Sequence, residues 1–108
     1  MIVTPAAQIA GQRVSKTVGL VRGNTIRARH VGKDILAVFK NVVGGEIEEY
    51  TKMMAEAREQ AIQRMIEHAE TLGANAITDV RFSTAYIMGA ASEILAYGTG
   101  LKLRRDPS

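Results

Sequence analysis

GGEIEEYTKMMAEAREQAIQRMIEHAETLG, residues 44–73, decides how the rest of the chain is read. From Glu46 to Leu72 it is rich in Ala, Glu, Met, Gln and Arg, residues that cost little in a helix. Tyr50, Met54, Ala57, Ala61 and Met65 recur at helical spacing, and Met53, Ile62, Ile66 and Ala69 broaden their stripe. Glu46, Glu48 and Glu49 place negative charge on the first turn, where the macrodipole favours it, and Gly73 is the stop. Upstream, Val31, Ile35, Val38, Phe39 and Val42 wind onto one stripe, which predicts a short amphipathic helix over Val31–Val43, with Gly44-Gly45 as punctuation between the two helices. A helix of roughly 27 residues is about 40 Å long. That is long for a domain of 108 residues, so part of its stripe is expected to pack on another subunit.

Strands are predicted on both sides. Before the helices, Val14, Val18 and Leu20 alternate with Ser15, Thr17 and Gly19 between Arg13 and Arg22; Gly23-Asn24 reads as a turn or bulge, and Thr25–Arg29 as a continuation. After the long helix, Ala76–Met88 carries Val80, Phe82, Tyr86 and Met88 on one face and Asp79, Arg81 and Ser83 on the other. Ser92–Leu103 carries Leu95, Tyr97, Leu101 and Leu103 opposite Ile94, Ala96, Gly98 and Gly100, with Gly89–Ser92 as the hairpin connection and 103–108 as a mobile tail. The chain is thus read as a single α+β domain over residues 1–108, a three-stranded antiparallel sheet packed by helices. Ile77, Ala85, Ile87, Ile94 and Ala96 make the second faces apolar too, and such a sheet calls for cover from a second copy.

Composition removes several kinds of chemistry. Without cysteine there is no disulfide, thiolate metal site or thiol nucleophile, and a cytoplasmic location is the default. Neither a signal peptide nor a membrane span is indicated. The net charge of +3 is unevenly spread, since residues 1–40 carry seven Lys or Arg and only Asp34 against them. A basic first strand could bind an anion or nucleic acid, yet no aromatic-basic interleaving of the kind that stacks bases is present, and acidic residues elsewhere can satisfy the charge. No Ser-His-Asp arrangement can be assembled. Glu48, Glu49, Glu56 and Glu59 read as a solvated helix face, and Met53, Met54 and Met65 as core fillers. His30 and His68 lie on different segments without a paired ligand, so changing both to Ala is expected to leave stability nearly unaltered.

Val42-Val43-Gly44-Gly45, Tyr50 and Ala57-Arg58 on the long helix, Leu72-Gly73-Ala74-Asn75-Ala76-Ile77 entering a strand, and the closing strand Leu95–Leu103 together resemble the YbjQ-like family of bacterial proteins, over essentially the whole chain. The resemblance implies a dodecin-like β-α-β-β fold, here with a short extra helix before the long one. It also implies self-assembly into homopentameric rings that can pair into decamers. The family's heavy-metal-binding label conflicts with the donor set just described, from which no metal site and no cofactor is expected. Flavin, which dodecins bind, would find no Trp to stack on. The resemblance singles out Tyr50 and Arg58. With Asp79 and Arg81, which can pair on the sheet surface, they are the candidates for contacts or a ligand pocket between subunits. The leading expectation is a non-enzymatic ring of unassigned role, with metal binding second and anion or nucleic-acid binding third.

Overall fold

The computed structural model describes residues 1–28, 44–87 and 91–107. The helix expected from composition is present as α1, Gly44–Thr71, of 28 residues. It begins two residues earlier than the Glu run suggests, so Gly44 and Gly45 belong to its first turn. It ends as predicted: Gly73 adopts φ 86°, its N–H donates to Glu70 O at 3.1 Å, and Ala74 N–H reaches Ala69 O at 3.0 Å. The short helix expected over Val31–Val43 falls entirely outside the described residues.

Among the described residues the sheet has four strands, not three. β1 (Ile2–Val3), β2 (Gln12–Ala28), β3 (Ala76–Ile87) and β4 (Ala91–Arg105) lie in the order β1-β3-β4-β2. β2–β4 and β3–β4 are antiparallel as expected, while β1 joins β3 in parallel and makes the sheet mixed. The Pro5-containing lead-in hid β1, because two residues are too few for a period-two signal. β4 extends through Leu103 to Arg105, and Asp106 N–H donates to Gly11 O at 2.9 Å, so the ladder continues into the segment read as a tail.

Strict alternation misplaced several side chains because three strand positions carry an extra residue. β2 bulges between Val14 and Lys16 and again between Thr17 and Gly19, and β3 bulges between Thr78 and Arg81. The two bulges of β2 cancel in phase, so Val14 and Leu20 stay on one face, opposite Leu103 and Thr99; the helix covers the other face, burying Val21, Gly23 and Thr25 and leaving Val14 and Leu20 exposed. Gly23-Asn24 is no turn; it pairs with Ala96 and Leu95 within a continuous strand. Gly23 is where the helix comes closest, since a Cβ there would overlap the backbone of Ala61, Arg64 and Met65.

Ala57, Ala61, Met65 and Ala69 form the wholly buried stripe of α1, which packs on Val21, Ile77, Val80, Ile94 and Ala96. Met54, Ile62 and Ile66 flank them, half-buried. This corrects the reading of the second faces: Ile77, Ile94 and Ala96 are covered by the chain's own helix, while Ala85 is exposed and the Ile87 side chain lies outside the described residues. The molecule is elongated, 60 × 24 × 16 Å, with a radius of gyration of 17.8 Å. A compact chain of this length would have about 13 Å.

Candidate functional site

The bulge in β3 organises one end of the sheet. Inserting Asp79 lets Ile77 and Val80 both face the helix, at the cost of a left-handed backbone at Asp79, φ 54°. Aspartate tolerates that region better than most side chains. The strained turn is used by the N-terminal segment: Thr4 N–H donates to Ile77 O at 3.0 Å, Val80 N–H to Thr4 O at 3.2 Å and Asp79 N–H to Ala6 O at 3.0 Å. Arg81 Nη1 donates to Pro5 O at 3.0 Å and Val80 O at 2.8 Å. Its guanidinium thus clamps carbonyls rather than pairing with Asp79, and no ion pair joins the two among the described residues. Asp79→Gly is expected to keep or slightly raise the urea midpoint, and Asp79→Val to lose about 1–3 kcal/mol.

Beyond Arg81 this bracing ends. Residues 81–86 are all exposed, and among the described residues no strand pairs with the outer edge of β3 from Arg81 onward. Phe82, Thr84 and Tyr86 stand opposite Ala96, Ile94 and Ser92, on the same face as the helix, yet the helix lies over β2 and β4 and leaves Phe82 46% and Tyr86 74% exposed. On the other face Leu20 and Ile26 are 64% and 55% exposed. Uncovered apolar side chains thus occur on both faces.

The opposite edge is closed by side chains that the sequence reading left without a task. His68 Nδ1 accepts the Arg22 N–H at 3.1 Å, and Arg64 Nη1 donates to Asn24 O at 2.7 Å. Two ladder groups on the outer edge of β2 are thereby satisfied from α1, which blunts the edge against pairing with another chain. Nδ1 must carry the lone pair, so the neutral ring holds its proton on Nε2. His68→Ala is expected to cost about 0.5–1.5 kcal/mol in thermal or urea unfolding, more than its surface position suggested. Arg58 is exposed on α1, with no hydrogen bond or ion pair to Asp79 or Arg81 among the described residues. The side chain of Tyr50 and the whole of His30 lie outside the described residues. A cavity of about 300 Å³ lies between the N-terminal segment and the sheet, floored by Leu101 and Leu103 and bordered by Gln8, Gln12 and Arg13.

A family model described as "Putative heavy-metal-binding" matches residues 1–104. The chain belongs to the YbjQ-like family. Among its relatives, the UPF0145 protein of Methanosarcina acetivorans is 53% identical over 103 residues, covering 95% of this chain and 97% of that one. A UPF0145 protein of Dehalococcoides mccartyi is 57% identical over 101 residues, 94% and 97% of the two chains. A crystal structure of a protein of unknown function from Pediococcus pentosaceus has the same fold, with TM-score 0.56 and 18% identity, covering 98% of each chain. None of these names states an activity.

The family description implies a soft metal, and the side chains of this YbjQ-like chain do not fit one. The sequence has no cysteine, and no group of three or more His, Asp or Glu converges among the described residues. His68 spends Nδ1 on a backbone amide. Met65 is wholly buried, and Met54 packs against the same apolar core. No helix among the described residues is long and apolar enough to cross a membrane.

Proposed function

We propose that this YbjQ-like protein is a cytoplasmic, non-enzymatic homo-oligomer, a dodecin-like ring of five subunits or a pair of such rings, with space between subunits for a small ligand. The observation that carries the reading is the uncovered apolar surface of the sheet, Phe82 and Tyr86 of β3 on one face with Leu20 and Ile26 of β2 on the other. Burying one such side chain between copies is worth about 1.5–3 kcal/mol, so several per subunit outweigh the entropy of association. The elongated shape agrees, because much of the sheet stays open to solvent in a single copy. Pentamer and decamer come from the family resemblance. Tyr50, Arg58, Asp79 and Arg81 remain the candidates for ligand or subunit contacts, with Asp79 and Arg81 also holding the N-terminal segment in place within the subunit.

Native mass spectrometry of the protein as purified tests this reading, since it reports subunit number and bound small molecules together. Five or ten copies are expected. The same sample submitted to elemental analysis is expected to hold no stoichiometric zinc, copper or cadmium; one tightly bound ion per subunit would favour the heavy-metal reading instead.

A further inference from the structure

The pairing of β2 with β4 brings together cations that are far apart in the sequence. Arg13 stands directly opposite Arg104, and Lys16 directly opposite Lys102. Both bulges of this ladder lie in β2, so β4 alternates regularly and places Lys102 and Arg104 on one face, with Lys16 and Arg13 beside them. By the same alternation this is the face that α1 covers farther along, at Ile94 and Ala96. All four side chains are exposed, and none has an ion-pair partner among the described residues. Like charges directly opposite each other on a ladder destabilise it. Two successive such pairs therefore form a strained arrangement that an external anion would relieve.

We infer that the Arg13, Lys16, Lys102 and Arg104 grid is a binding surface for the phosphodiester backbone of a single-stranded nucleic acid, read without regard to base sequence. Partners across the ladder are about 5 Å apart at Cβ, and Lys102 and Arg104 are about 7 Å apart along the strand. One phosphate fits between the two arginine forks and the next between the two lysines, which suits a linear polyanion better than one compact anion. Neighbouring positions Val14, Ser15, Thr17, Leu101, Leu103 and Arg105 offer no aromatic ring for a base to stack on, so contact is with the backbone alone. The surface belongs to a single subunit and does not rest on the ring.

Fluorescence anisotropy with a labelled oligothymidylate tests this. With two phosphates neutralised at about −0.7 each, the unmodified protein is expected to give a slope of log K against log salt of about −1.4. Lys16→Glu/Lys102→Glu is expected to weaken binding at least about tenfold and to halve the slope. Lys52→Glu/Gln60→Glu/Gln63→Glu, on exposed positions of α1, lowers the net charge equally and is expected to bind nearly as well as the unmodified protein. Circular dichroism confirms folding of each variant. Absence of salt-sensitive binding, or an equal loss in the α1 variant, would overturn the inference. So would a change of native mass in the Lys16/Lys102 variant, which would assign the grid to subunit contacts.

Discussion

Gly23→Ala is expected to lose at least about 3 kcal/mol, enough to unfold much of the protein at ambient temperature if total stability lies at the low end of the usual range. The new methyl group would meet the backbone of Ala61, Arg64 and Met65, and no rotamer change can move backbone aside. To make room, α1 must lift off β2, breaking the contacts of Ala57, Ala61 and Met65 with Val21 and releasing the His68 and Arg64 caps on the strand edge. Urea denaturation followed by circular dichroism measures the loss. Asn24→Ala, one residue on and exposed, is expected to cost less than about 1 kcal/mol.

The second large effect concerns assembly without folding. Phe82→Glu/Tyr86→Glu changes side chains that are exposed within the subunit, so each is expected to shift subunit stability by no more than about 0.5 kcal/mol. On the proposed assembly the same pair of changes introduces charge into a buried contact repeated at every interface, and the native mass is expected to fall to that of a single copy. Ile94→Lys provides the contrast. Ile94 is 2% exposed beneath the chain's own helix, so a charge there is expected to abolish folding at any protein concentration. Size-exclusion chromatography beside circular dichroism separates the two behaviours.

What could be read from the sequence was whatever is written locally. The long helix is legible because Ala, Glu, Met, Gln and Arg run unbroken at helical spacing up to Gly73, and its wholly buried stripe at Ala57, Ala61, Met65 and Ala69 is the predicted one. The β3–β4 hairpin and the two faces of β4 are legible because β4 keeps strict alternation. The reading fails where one residue is inserted. Asp79 turns Ile77 and Val80 to the same side, and the bulges near Ser15 and Val18 put Thr17 and Gly19 on opposite faces, with nothing in composition to announce them; nor does the pattern say that the helix covers the Val21 side of β2 rather than the Leu20 side. The edge caps at His68 and Arg64, and the cation grid shared by the start of β2 and the end of β4, depend on residues at least 40 positions apart. Arg13 and Lys16 lie near one end of the sequence and the Lys102 and Arg104 they face near the other, so the grid has no local signature. The candidate site was legible only as apolar excess: an uncovered sheet was expected, but it lies at Phe82, Tyr86, Leu20 and Ile26, because α1 covers Ile94 and Ala96.

Sedimentation velocity on the unmodified protein at micromolar concentration tests the proposed assembly most directly. A sharp boundary is expected at five or ten times the mass of the 11.7 kDa chain, unchanged on dilution. A folded species sedimenting at the mass of one chain, with Phe82 and Tyr86 open to solvent, would contradict it.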